Sequence, residues 1–200
     1  KFNKNNILKS VQKRKINFNI VKNYHKFIAE ECFNNKVIGF FNEKLEFGDR
    51  ALGCRSILGN PINKNIKNLI NNSIKYREKY RPFAPSITEE NLEKFFESEG
   101  CKQNNYMERV FKVKKNYIDK LPGIVHLDNT ARVQTVNKKS NPNFYKILEE
   151  FEKISGFPIL LNTSFNINGE PIVCSPDDAI NTFFNSGLDI LMLGDCCIKK

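Results

Sequence analysis

No apolar stretch in this 200-residue chain approaches the roughly 20 residues that a membrane-crossing helix needs. Runs such as 190–193 end within a few residues. The N-terminal segment alternates Lys and Asn with single apolar residues and has no continuous apolar core of a secretion signal. A soluble, cytoplasmic protein with no membrane partner is therefore expected. Histidine occurs only at His25 and His126, and the six cysteines include no C-x-x-C pair. The short paired spacings of a zinc site are missing, so no metal site is expected here and the cysteines read as buried reduced thiols. Neither a Walker A loop nor G-x-G-x-x-G is present, which sets aside both familiar nucleotide fingerprints. Ser164 lacks a G-x-S-x-G elbow, and a Ser-His-Asp arrangement would lean on His126 and Asp128, only two residues apart. A serine hydrolase is disfavoured on that ground.

What is present suits a single globular domain. Hydrophobic residues make up 40% and aromatics 12% of the chain, too rich for disorder and enough for one sizeable core. The net charge is +10, of which +7 falls within residues 1–36. A basic arm of this kind could bind nucleic acid, but it has neither interleaved aromatics nor an Arg-rich run. Residues 1–19 are accordingly read as an irregular basic linker, and residues 20–200 as the domain.

Arginine is scarce, with seven against 25 lysines. Where lysine serves for plain positive charge, an arginine marks a place that needs a planar, bidentate donor. Arg50, Arg55, Arg77, Arg81 and Arg132 fall in three short segments dense in Gly, Pro, Ser and Thr. Together with Lys75, Ser86 and the runs Thr130-Ala131-Arg132-Val133-Gln134 and Asn162-Thr163-Ser164-Phe165-Asn166, they offer convergent cations, hydroxyls and amides. Such a donor set suits a nucleotide or phosphate ester, stabilised by position and electrostatics more than by proton shuttling.

Periodicity predicts helices from residue 20, across 62–74, from Thr88, over 142–155 and from Ser175. Strands are expected at 36–41, 107–113, 158–161, 189–193 and 196–198, with a two-stranded hairpin over 124–136 turning at Asp128 and Asn129. Residues 45–60 read as a glycine-punctuated loop with a short helical turn. The pairs Phe95-Phe96 and Phe183-Phe184 are assigned to the core. This irregular alternation favours an α/β or α+β domain with a mixed sheet flanked by helices.

Four of these segments, LEFGDRALGCRSIL, IKYREKYRPFAPSI, HLDNTARVQTV and LLNTSFNINGEPIVCSPDDAI, occur in the order and spacing seen in the C-terminal domain of the NodU/CmcH-type O-carbamoyltransferases. The resemblance runs over residues 36–198. It implies a YrdC-like twisted mixed sheet that makes carbamoyl adenylate from carbamoyl phosphate and ATP with Mg2+. It also implies a separate N-terminal domain, in cis or in trans, that binds an iron-type metal and hands the carbamoyl group to a small-molecule hydroxyl acceptor. Carried onto this sequence, Arg50, Arg81, Arg132 and Ser164 become the catalytic set. Arg55, Lys75, Arg77, Ser86, Thr130, Asn162 and Asn166 become the substrate-binding set. Asp49 replaces a usual proline, Cys54 a usual asparagine and Asn129 a usual glycine, which puts local geometry in question. The alternative reading is a YrdC-like RNA-binding or tRNA-modification module. Because most of the charge lies outside the motifs, nucleic acid is not the expected partner.

Overall fold

The computed structural model describes residues 2–42 and 44–200. In chain order the elements are α1 (Lys4–Lys13), β1 (Asn19–Ile20), α2 (Tyr24–Phe33), β2 (Ile38–Phe41), β3 (Arg55–Gly59), α3 (Ile66–Ser73) and β4 (Ala84–Thr88). There follow α4 (Leu92–Phe95), β5 (Phe96–Glu97), β6 (Val110–Val113), β7 (Thr130–Arg132), β8 (Gln134–Val136), α5 (Pro142–Ser155), β9 (Ile159–Ser164), α6 (Pro176–Phe184), β10 (Ile190–Leu193) and β11 (Cys196–Lys199). Among the described residues an eight-stranded mixed sheet runs β1-β11-β10-β2-β3-β9-β4-β8, and β5-β6-β7 form a second, small sheet. Pairs β10–β2 and β4–β8 are parallel, whereas β2–β3, β3–β9 and β4–β9 are antiparallel. The expected mixed-sheet α/β architecture is the one observed.

Helix boundaries follow local chemistry where it is strong. Asn141 caps α5 through the Phe144 amide, Pro142 fills its first turn, and Gly156 ends it in the left-handed region at φ +80°. Its buried face, with Phe144, Ile147, Leu148 and Phe151, packs on α2. Ser175 and Asp178 form a reciprocal capping box on α6.

Elsewhere the structure corrects the sequence reading. Residues 4–13, expected to be part of an irregular linker, form a helix whose Asn3 and Asn6 make a capping box. Ile7 and Val11, one turn apart, enter the main core. Three apolar residues, Ile7, Leu8 and Val11, span little more than one turn and were too few to show a period, and the helix is also held by tertiary partners. Ser10 and Arg14 both bond Asp177 on α6, and Lys4 pairs with Asp195. The expected hairpin over 124–136 is absent: the turn forms, with Asn129 at φ +63° and its N–H on the His126 carbonyl. Its second arm, however, divides into β7 and β8, which join different sheets. The helix expected from Thr88 shrinks to a 3-10 turn and α4, after which Phe96 is already extended. Residues 55–59, inside the expected loop over 45–60, form β3. Phe184 is exposed, whereas Phe95, Phe96 and Phe183 are buried.

Candidate active site

The topology brings one end of four strands together. Strand β9 runs antiparallel to both β3 and β4, and β8 runs parallel to β4. The C-terminal end of β9 therefore lies beside the starts of β3, β4 and β8. The segments that lead into those starts carry Arg50, Arg77 and Arg132.

At this junction a small cleft of about 110 Å3 is lined by Arg50, Arg77, Arg132, Asn162, Thr163 and Ser164, among others. It continues into a wider cavity of about 510 Å3 that shares Asp49, Arg50, Met107 and Arg132. Among the described residues no carboxylate lies within ion-pair distance of Arg132 or Arg77. Burial and the neighbouring Arg50 charge lower the pKa of Arg132, and burial with Arg81 lowers that of Arg77. Mutual repulsion of this kind is relieved by an anion. Arg77 is oriented by its Nε–H on Asn71 Oδ1 at 2.8 Å and lies over the Phe83 ring. Two cleft residues also hold unmet polar atoms, since Arg132 Nε and Asn162 Oδ1 are buried without a hydrogen-bond partner among the described residues.

Beneath the cleft lie two sets of buried polar groups. Lys75, only 5% exposed, donates to Ser164 O at 2.5 Å, Ser164 Oγ at 3.2 Å, Asn166 O at 3.0 Å and Asn166 Oδ1 at 2.6 Å. Ser164 Oγ in turn donates to Asn166 Oδ1 at 2.8 Å. Burial, reinforced by the Arg77 charge, pushes the Lys75 pKa down to about 7. The second set is Ser86, Gln134 and Asn162. Ser86 Oγ donates to Gln134 Oε1 at 2.6 Å, while Asn162 Nδ2 reaches Ser86 Oγ at 2.9 Å and Ala51 O at 3.1 Å. Gln134 Nε2 donates to Leu52 O at 2.9 Å. These bonds pin the carbonyls of Ala51 and Leu52, directly after Arg50, at the cleft.

Of the residues singled out from sequence, Arg50, Arg77, Arg132, Asn162 and Ser164 line the cleft, while Lys75, Asn166 and Ser86 lie in its supporting layer. Three lie apart. Arg55 is 1% exposed, with its guanidinium on the carbonyls of Asn42 and Cys54 and 3.5 Å over the Phe41 ring. Arg81 is at the surface, 3.2 Å from Glu78. Thr130 donates to Asp128 Oδ1 at 2.7 Å and lies 3.2 Å from His126 Nδ1. Ser164 is thus partnered by Lys75 and Asn166. Asp49, the departure from the usual proline, forms an ion pair with Arg50 at 3.2 Å. Asn129 takes the left-handed conformation that glycine would, which asparagine tolerates better than most residues. Cys32, Cys196 and Cys197 are buried, Cys54 and Cys101 partly so, and Cys174 is exposed.

Gln134, offered from sequence as an amide donor to a ligand, instead clamps the arginine loop through Leu52 O. Sequence reasoning missed Phe47, Tyr106 and Met107 as wall residues. Of these, Phe47 falls inside a quoted motif, which was the available signal.

Residues 29–200 match the family model described as carbamoyltransferase C-terminus. The chain belongs to this family. The nodulation protein NolO of Bradyrhizobium diazoefficiens is 47% identical over 173 residues, which cover 86% of this chain and 32% of NolO. This carbamoyltransferase C-terminal domain spans about a third or less of the length of the curated relatives it matches. The structure of full-length HypF in its phosphate- and nucleotide-bound form aligns with a TM-score of 0.55 at 18% identity, over 91% of this chain and 22% of HypF. Sua5 of P. abyssi, as an H234A/Y235A variant, aligns with a TM-score of 0.54 at 16% identity, over 86% of this chain and 49% of Sua5. At such identities the likeness concerns the fold, which is YrdC-like. Among the described residues no helix is long and apolar enough to cross a membrane.

Proposed function

We propose that this domain activates a carbamoyl group by forming carbamoyl adenylate. The observation that carries the reading is the convergence of Arg50, Arg77 and Arg132 on one cleft floored by Ser164 and Asn162, in a chain of the carbamoyltransferase family. Loss of phosphate from carbamoyl phosphate to water leaves carbamate. A carbamate oxygen then bonds to the α-phosphorus of ATP as the bond to the β-phosphate bridge breaks, and pyrophosphate leaves. Both steps gather negative charge on phosphoryl oxygens, which fixed guanidinium groups stabilise without having to move. Magnesium enters as the ATP complex. Arg132 and Arg77 supply bidentate donors to the phosphates, and Ser164 Oγ, held by Lys75, supplies a hydroxyl donor when its proton turns from Asn166 Oδ1 to a phosphate oxygen. Arg55 acts on the loop through Asn42 and Cys54. The hydroxyl acceptor and the iron-type metal belong to a partner domain, corresponding to the length of its relatives that this chain does not cover.

Calorimetry with MgATP and with carbamoyl phosphate tests the site. Each charge-assisted contact is worth about 1.5–3 kcal/mol, so Arg132→Ala and Ser164→Ala should each weaken binding by roughly tenfold or more. Binding undiminished in both variants would remove this cleft as the site.

A further inference from the structure

The wider cavity beside Arg132 has a wall that anion binding leaves unused. Phe47 is 105% exposed and Tyr106 63% exposed, and both line this cavity of about 510 Å3 with Arg50 and Arg132. That volume is in the range of small-molecule sites.

Neither ring is exposed because its loop is loose. Next to Phe47, the Glu46 carboxylate accepts from the amides of Leu52 at 2.8 Å and Cys54 at 2.6 Å. On the other side, Gly48 turns the chain at φ +100°. Next to Tyr106, the Asn104 amide donates to Thr135 Oγ1 at 2.7 Å, and Thr135 Oγ1 donates to Asn105 Oδ1 at 2.8 Å. Met107 follows, buried, at φ +58°. Two pinned backbones thus present two aromatic rings to one cavity, at its junction with the arginine cleft.

Charge orients whatever binds there. Glu108 lines this cavity and not the cleft, Asp49 lines both and is paired with Arg50, and Arg77 and Ser164 line only the narrow cleft. A polyphosphate is repelled by Glu108 and drawn to the cleft with its third guanidinium, Arg77, which leaves the aromatic end for an uncharged, flat group.

We propose that Phe47 and Tyr106 form a nucleobase-stacking subsite, so that the base of the nucleotide lies in the wide cavity and its phosphates reach Arg50, Arg132 and Arg77. This rests on the nucleotide-binding reading above. Recognition through the ring faces is tolerant of base identity, because every base has a π-face.

The test compares ATP with inorganic tripolyphosphate by calorimetry on the 200-residue chain and three variants. Alanine substitution of a stacking aromatic costs about 1–3 kcal/mol per base. Phe47→Ala and Tyr106→Ala are each expected to weaken ATP roughly tenfold while leaving tripolyphosphate unchanged. Tyr106→Phe, which keeps the ring face, should bind ATP within about twofold of the parent. If the parent binds ATP and both alanine variants bind it equally well, the stacking subsite is overturned and the nucleotide reading stands. Equal loss of both ligands, or a Tyr106→Phe variant as impaired as Tyr106→Ala, also overturns stacking. A parent chain that binds tripolyphosphate and not ATP overturns both the subsite and the reading beneath it.

Discussion

Arginine geometry decides what the cleft can hold. Arg77 is oriented by Asn71 and by the face of Phe83, so its planar fork arrives at the cleft already aligned. Lysine keeps the charge and loses the fork. Arg77→Lys should therefore cost about tenfold or more in pyrophosphate release, corresponding to about 1.4 kcal/mol, with little change in melting temperature. A fully active lysine variant would reduce Arg77 to a general positive charge. Lys75 poses a different residue-scale question, because its ammonium is buried with oxygen acceptors and, among the described residues, no carboxylate partner. Its folded pKa, about 7, lies below that of an unfolded lysine. Between those values the unfolded chain binds a proton that the folded chain does not, so stability rises with pH across that window. Below about pH 7 both states are charged and the full cost of the buried charge is present. Thermal unfolding from pH 6 to about pH 10 should show this rise, and Lys75→Met should flatten it. Parallel profiles in the two proteins would mean that Lys75 stays charged throughout.

At the scale of elements, the joint between the arginine loop and α5 bears the geometry. Gly53 sits at φ +108°, and a Cβ there would lie 2.2 Å from Phe144 Cδ1. Gly53→Ala would combine left-handed strain with overpacking against a buried ring, at about 3 kcal/mol or more together. Differential scanning calorimetry should show the melting temperature falling by roughly 6–12 °C, since each kcal/mol moves a domain of this size by about 2–4 °C. An unchanged melting temperature would mean that the loop relaxes freely, and that the bonds from Gln134 and Asn162 to Leu52 and Ala51 do not hold it. Legibility also varies by element. Helices α5 and α6 could be read because Asn-Pro, Ser-Pro-Asp-Asp and Gly act within one turn. Helix α1 could not, because its register depends on Asp177 and Asp195, more than 160 residues away.

For the whole molecule, the folding of α1 onto α6 changes how the basic charge is read. Lys4 and Arg14 are paired with carboxylates of the same domain, which weakens the case for this arm as a nucleic-acid arm. The larger question is division of labour, since this chain covers only 28–32% of the length of its first curated relatives. The chain alone, given MgATP and carbamoyl phosphate, should release pyrophosphate slowly and carbamoylate no hydroxyl compound. A mixed anhydride in an open cleft is lost to water without a partner domain to exclude it. Adding the N-terminal domain of a relative should restore transfer and leave the requirement for Arg132 and Ser164 unchanged. Pyrophosphate release without carbamoyl phosphate would point instead to an unrelated ATPase, and transfer by the chain alone would place the acceptor site within it.

Composition, scarce arginines and four ordered motifs sufficed for the family and the mixed α/β class, because these depend on residue type and short spacing. The sequence could not tell which arginines share a cleft. Arg50, Arg77 and Arg132 meet because antiparallel β9 turns its C-terminal end toward the starts of β3, β4 and β8. Arg55 is the first residue of β3, where register places it opposite Phe41 and it is buried. The split of residues 130–136 between two sheets was equally invisible, since partner choice depends on distant strands. Side-chain chemistry is local and was legible; the convergence that makes a candidate site is a property of strand order and register, which tertiary packing alone decides.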